Sequence, residues 1–298
     1  MTELINSDAI EHAADLISQA DALIVAAGAG MGVDSGLPDF RGKEGLWKAY
    51  PALGREQVDF HRIACPEAFR TQPQRAWGFY GHRLNRYRET QPHAGFQILK
   101  SWGDTMIRGS AVFTSNVDGQ FQAAGFDQNT IQECHGSIHH LQCLTPCCKA
   151  IWPADDFKPD VDAENCLLLN AAPTCLHCGG MARPNIMMFG DWDWVDHRQD
   201  AQSRRMERWL LGLKRPVVVE IGAGTAIPSV RHFSQRVIHA FGGRLIRINP
   251  REFSVPSSLD IGLAGGSLSA LVEIDRVIQT TTDVTSPLKE TSACATNF

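Results

Sequence analysis

Residues 22–32 read Ala22-Leu23-Ile24-Val25-Ala26-Ala27-Gly28-Ala29-Gly30-Met31-Gly32. Six consecutive apolar residues with no polar alternation predict a strand buried on both faces, as in a parallel sheet covered by helices. The glycines that follow predict a tight turn where the backbone can approach a bound group. Between a strand and a helix start, such a turn meets a pyrophosphate with free amide N–H groups. The spacing Gly28-x-Gly30-x-Gly32 is not the usual dinucleotide spacing, and a turn like this can also serve packing alone. Upstream, Ile10, Ala13, Leu16, Ile17 and Ala20 recur at helical spacing over residues 7–20, with Ser7 as the expected N-cap. Downstream, apolar runs at 111–114, 217–221 and 245–248 each end in small or polar residues, with helical patterns between them. The expectation is an α/β fold: a doubly wound, Rossmann-like parallel sheet with ligands beyond the carboxyl ends of its strands.

Two segments break this rhythm. Residues 41–100 hold Trp47, Phe60, Phe69, Trp77, Phe79 and Tyr80 in a helical-looking stretch, and residues 137–190 hold most of the cysteines. Both read as insertions that build a smaller helical plus zinc-binding domain over the cleft. This assigns 1–40, 101–136 and 191–280 to a discontinuous sheet domain, 41–100 and 137–190 to the small one. Residues 281–298 are left as a flexible tail, the polar stretch beginning near Thr280. Across 298 residues, 28 Lys+Arg stand against 33 Asp+Glu, a net charge of −5 that argues against non-specific nucleic-acid binding. A 43% hydrophobic and 20% charged composition excludes a disordered, collagenous or coiled-coil chain. No apolar run approaches the ~20 residues of a membrane span. The first fifteen residues carry Glu3, Asp8, Glu11 and Asp15 without Lys or Arg, so no signal or transit peptide is expected. A cytoplasmic location follows as the default, where disulfides are disfavoured.

Nine cysteines then need another explanation. Cys143-x3-Cys147 and Cys175-x2-Cys178 are two close pairs separated by 27 residues. Two such knuckles suit the closed four-thiolate site of a structural zinc. Cys148 rivals Cys147 as a ligand, since Cys143-x4-Cys148 could also close a knuckle; His177 is a weaker rival. The other cysteines are Cys65, Cys134, Cys166 and Cys294.

Several motifs flank the predicted strands. Ser35-Gly36-Leu37-Pro38-Asp39-Phe40-Arg41-Gly42 puts a carboxylate, a ring and a guanidinium on a loop just past the glycine turn. Thr114-Ser115-Asn116-Val117-Asp118 follows a strand, so Asn116 and Asp118 can project into the cleft. Cys134-His135-Gly136-Ser137 places an imidazole, which titrates near neutrality, beside a glycine that leaves it room. Arg183-Pro184-Asn185-Ile186-Met187-Met188-Phe189-Gly190-Asp191 and Ile248-Asn249 complete the series. Together and in this order, over roughly residues 10–275, these motifs resemble those of the sirtuins (Sir2-like NAD-dependent protein deacylases), in a divergent bacterial-type branch.

The resemblance implies a reaction in which an acyl-lysine, NAD and one water give nicotinamide, free lysine and O-acyl-ADP-ribose. It implies His135 as the base acting on a ribose hydroxyl, with Asn116 and Asp118 positioning the ribose and nicotinamide. Cofactor contacts are implied at Gly28, Ala29, Gly30, Asp39, Phe40, Arg41, Ser115, Gly222, Gly224, Thr225 and Asn249 as well. Met188, Phe189 and Gly190 are implied to offer backbone to an extended substrate peptide. The chain departs from the family at Gly32, where serine is usual, at Ser115 in place of glutamine, and at Gly222-Ala223-Gly224 in place of Gly-Thr-Ser. Thr225 is the substitute at hand for the missing hydroxyls.

Tyr80 and Arg83 stand three apart on one helix face. A guanidinium and a phenol in an apolar channel suit an acyl group bearing a carboxylate. Sirtuins that remove succinyl and malonyl groups carry such a Tyr-x-x-Arg pair, so acidic acyl groups are expected beside or instead of acetyl. Two other readings stay open: mono-ADP-ribosyl transfer to protein from the same NAD site, and a low-turnover NAD-binding sensor. The expected partner is an acylated-lysine protein or peptide, with no nucleic acid and no membrane.

Overall fold

Both faces of the central sheet are apolar, and helices cover each. The computed structural model describes residues 6–38 and 43–285. Strands β1 (Ala22–Ala27), β2 (Ser110–Thr114), β3 (Ile131–Glu133), β9 (Pro216–Ile221), β10 (Arg244–Ile248) and β11 (Ile261–Leu263) form one sheet in the order β11-β10-β9-β1-β2-β3. All its pairings are parallel. In β1, Leu23, Val25 and Ala27 face one layer while Ala22, Ile24 and Ala26 face the other. The first layer is made by α1 (Ser7–Ser18), α7 (Ala94–Thr105) and α11 (Ser267–Thr285), through Ile10, Ile17, Phe96, Leu99, Leu271 and Ile274. The second is made by α9 (His197–Leu210) and α10 (Ser229–Phe241), through Met206, Leu210, Phe233 and Val237. The run of Ala22–Ala27 is continuous because neither face is wet, as expected for a doubly wound sheet.

A third core lies apart from the sheet. Helices α2 (Lys43–Ala49), α3 (Pro51–Arg55), α4 (Phe60–Ile63), α5 (Pro66–Thr71) and α6 (Pro73–Glu89) supply Tyr50, Leu53, Phe69, Trp77, Phe79 and Tyr80. They pack with Ile138 and Leu141 of β4 (Gly136–Cys143), which lies in an antiparallel sheet β5-β4-β8 with β5 (Ile151–Pro153) and β8 (Ala182–Ile186). A small pair, β6 (Val161–Asp162) and β7 (Leu167–Leu168), adjoins α6. The short helix α8 (Gln120–Ala123) follows β2.

Two local expectations change. The N-cap of α1 is Asn6, whose Oδ1 accepts from Asp8 N–H at 2.9 Å; Ser7 already lies inside the helix. The C-terminal helix does not fray at Thr280 but runs on to Thr285, since Val277 and Ile278 still pack on the sheet core. Residues 286–298 lie outside the described residues. Within the described residues no helix is long and apolar enough to cross a membrane.

Candidate active site

The carboxyl ends of β1, β2 and β3 open onto a cavity of about 220 Å³. Ala29 from the turn after β1, Ser115, Asn116 and Asp118 from the segment after β2, and His135 from the turn between β3 and β4 line it. Tyr80, Arg83 and Tyr87 of α6 enter from the other side, with Phe60, Met188 and Phe189 beside them. Motifs from five separate stretches of sequence therefore line one cavity.

Hydrogen bonds explain how each is held. Ser115 N–H and Thr114 Oγ1–H both donate to Ala27 O at 3.1 Å, tying the end of β2 to the glycine turn. Asn116 Nδ2–H donates to Gly28 O at 3.0 Å, so its amide is fixed against that turn. Asp118 Oδ1 accepts from Gln120 N–H at 3.0 Å. Burial pushes its carboxyl up to about 6, with the neighbouring Glu133 adding to the rise and Gln120 N–H and Arg83 opposing it. A buried carboxyl with a raised pKa is a pattern of functional sites. The sign for stability follows: the neutral form folds more favourably, and that contribution is lost as pH rises through about 6. Around His135, Cys134 N–H donates to Thr114 O at 2.9 Å and Met187 N–H to His135 O at 3.0 Å, which clamps the backbone on both sides. His135 Nε2 lies 3.3 Å from Ser229 Oγ at the start of α10. Gly136 adopts φ +80°, and a Cβ there would run into Asn185 O, so the turn after His135 requires glycine.

The glycine turn is packed against a second turn. A Cβ on Gly28 would lie 2.6 Å from Gly222 O, and one on Gly30 2.6 Å from Gly222 Cα. Gly30 N–H donates to Gly222 O at 3.1 Å. The smallness of these three residues thus serves backbone-to-backbone contact at the ends of β1 and β9. Thr225, the substitute hydroxyl, is engaged: its N–H and Oγ1–H donate to Glu252 at 2.9 and 2.7 Å. Arg231 donates to Ala223 O at 2.9 Å and to Glu252 O at 2.6 Å, and Asn249 Nδ2–H to Ala223 O at 3.1 Å. Gly224 leaves open space, its nearest neighbour being Glu252 Oε2 at 3.7 Å from a built Cβ. Asp39, Phe40 and Arg41 lie outside the described residues.

On the α6 side of the cavity, Arg83 Nε–H and Nη2–H donate to Tyr87 Oη at 3.1 and 2.7 Å. Its guanidinium stands 5.2 Å from the Phe79 ring centroid and 5.9 Å from that of Tyr80. Burial holds the Tyr80 phenol well above its usual range, so it remains a donor. The sequence reading missed Tyr87, although its place four residues after Arg83 on the same helix is a usable signal. It also missed Ser229 and Glu252, which are remote in sequence from His135 and Thr225, and Arg231, which lies eight residues beyond Ala223.

The Met188–Phe189 segment is anchored through its amides. Met188 N–H donates to Asp191 Oδ2 at 3.2 Å and Phe189 N–H to Ala64 O at 3.0 Å. Asp191 is in turn paired with Arg183 at 2.8 Å, both side chains being wholly buried. What these two residues can offer an incoming strand is therefore their carbonyls.

Four sulfurs meet in the loop region. The Sγ atoms of Cys143, Cys147, Cys175 and Cys178 all lie within 4.8 Å of one another. Cys143–Cys178 is 3.7 Å and Cys147–Cys175 is 3.6 Å. A tetrahedral zinc with Zn–S of ~2.3 Å sets its sulfurs ~3.8 Å apart, so this set fits the ion. Cys147, not Cys148, belongs to the four-sulfur set. His177 N–H donates to Cys175 Sγ at 3.4 Å, the backbone support typical of a ligand thiolate.

The Sir2 family profile matches residues 28–208, well over half of the chain. The chain belongs to the Sir2 family. Among Sir2 relatives, the NAD-dependent protein deacylase of Pyrococcus furiosus is 30% identical over 265 residues, covering 87% of this chain and 94% of the relative. That of Thermococcus kodakarensis is 26% identical over 269 residues, covering 90% and 95%. In fold, a mutant Sir2 homologue in complex with ADP-ribose superposes with TM-score 0.69 at 24% identity, covering 92% of this chain and 98% of the other. A Sir2 homologue in complex with NAD gives TM-score 0.69, covering 91% and 94%. The sheet order and the third core are thus those of a Sir2 fold.

Proposed function

We propose that this Sir2 chain is an NAD-dependent protein-lysine deacylase that releases nicotinamide and O-acyl-ADP-ribose, acting on acylated lysines of a protein or peptide in the cytoplasm. The observation that carries the reading is the meeting of His135, Asn116 and Asp118 with Tyr80 and Arg83 around one cavity at the carboxyl ends of β1–β3. NAD, when bound, supplies a ribose carbon to which the acyl oxygen can bond as nicotinamide leaves. His135 takes the proton of a ribose hydroxyl. Asn116, fixed on Gly28 O, and Asp118, fixed on Gln120 N–H, orient the ribose and nicotinamide. Turns 28–30 and 222–225 with Asn249 hold the rest of the cofactor. Phe60, Met188 and Phe189 shield the acyl group until nicotinamide has left, after which one water completes release of the lysine, and the segment after β8 seats the peptide. Cys143, Cys147, Cys175 and Cys178 hold a structural zinc that fixes the loops of the small domain, residues 41–100 and 137–190.

Arg83 and Tyr80 suit a terminal carboxylate on the acyl chain, as in succinyl- or malonyl-lysine. One experiment tests both levels: native protein and Arg83→Met are incubated with NAD and acetyl- or succinyl-lysine peptide. Nicotinamide, deacylated peptide and labelled protein are followed together. Nicotinamide with free lysine supports deacylation; ADP-ribose on protein, or binding without products, contradicts it. Loss of a buried charge-assisted hydrogen bond predicts that Arg83→Met lowers succinyl turnover by about 10- to 100-fold. Acetyl turnover should stay within a few-fold. An acetyl preference left unchanged by Arg83→Met would rule out the pocket assignment.

A further inference from the structure

The two cysteine knuckles contain more ligand atoms than one tetrahedral ion can use. Cys147 Sγ lies 3.8 Å from Cys148 Sγ and 3.6 Å from His177 Nδ1. Cys147, Cys148 and His177 form a second group whose ligand atoms all lie within 4.8 Å of one another, and it shares only Cys147 with the four-sulfur set. For a tetrahedral ion with Zn–S of ~2.3 Å and Zn–N of ~2.0–2.1 Å, the sulfur–sulfur edge is ~3.8 Å and the sulfur–nitrogen edge ~3.6 Å. Both observed distances match these edges. We propose that Cys147, Cys148 and His177 form a second metal site for a zinc-class cation, joined to the structural site through a bridging Cys147 thiolate.

Accessibility and charge agree with this. Cys147 and His177 are exposed and Cys148 is half-buried, so an ion can enter from solvent. Four thiolates around one Zn²⁺ leave a net charge of about −2, which a neighbouring cation reduces. The donor set of two thiolates and one imidazole selects zinc or another thiophilic ion over magnesium or calcium. Three protein ligands leave a fourth position for water or an exogenous ligand, unlike the closed four-cysteine site.

The full-length protein is tested by titration with Zn²⁺, removal of free ion by gel filtration, and measurement of the metal-to-protein ratio. Native protein should retain about two equivalents, and Cys148→Ser with His177→Ala about one, since the four-sulfur set is untouched. Circular dichroism of the double variant should match the native protein, which separates loss of the second site from loss of fold. A saturating ratio of about one in native protein, or of about two in the folded double variant, would overturn the proposal.

Discussion

In the His135→Ala variant, NAD-dependent release of free lysine from an acyl-lysine peptide is expected to fall by about 10²- to 10⁴-fold, the usual contribution of a positioned general base. The fold should persist. The backbone contacts at this point, Met187 N–H to His135 O and Cys134 N–H to Thr114 O, involve no atom of the imidazole. The ring lines the cavity and is not part of the three packed cores, so its removal opens space at the cleft and leaves no buried void in the sheet. Turnover of the variant is measured beside the native enzyme, with thermal unfolding as the control. Native-level turnover would remove His135 from the chemistry.

The second large effect concerns metal. Stripping the zinc with a strong chelator, or replacing Cys175 with serine, should unfold the region around β4, β5 and β8. Structural zinc sites bind with about 10–16 kcal/mol of apparent free energy in small zinc-binding peptides. That is comparable to the whole stability of a typical domain, about 5–15 kcal/mol. Loss of even about 4 kcal/mol should lower Tm by roughly 10 °C. Cys143 and Cys175 are buried, and few regular elements surround them, so little apolar packing is available to replace the ion. Calorimetry of native, chelated and Cys175→Ser protein checks this. Unchanged Tm in all three would show that no structural zinc holds this region.

The sheet was legible because its signal is local. Ala22–Ala27 is apolar at every position, and the glycines that end it mark where the cleft begins. Of the site, those residues adjoining a strand end could be read directly: Ser115, Asn116, Asp118 and His135. The contacts that hold them could not, since they join distant parts of the chain. Nothing near Gly30 announces Gly222 as its packing partner, and nothing near Thr225 announces Glu252 as its acceptor. The N-cap of α1 was misplaced by one residue because Asn6 and Ser7 are both good caps and pattern alone does not choose between them. The choice between Cys147 and Cys148 depended on which sulfur the chain turns toward Cys143, Cys175 and Cys178, which spacing does not fix. Tyr87 is a different case: its helical spacing from Arg83 was readable, and it bonds the guanidinium expected to meet the acyl group.

The central claim is that the acyl group leaves lysine for ADP-ribose and does not go to water in a simple hydrolysis. Its most direct test follows the acyl group itself, by mass spectrometry of the products from an isotopically labelled acyl-lysine peptide and NAD. The account predicts labelled O-acyl-ADP-ribose in equal amount to the nicotinamide and free lysine formed, and no reaction without NAD. Labelled free carboxylic acid as the first product, with NAD left intact, would contradict it.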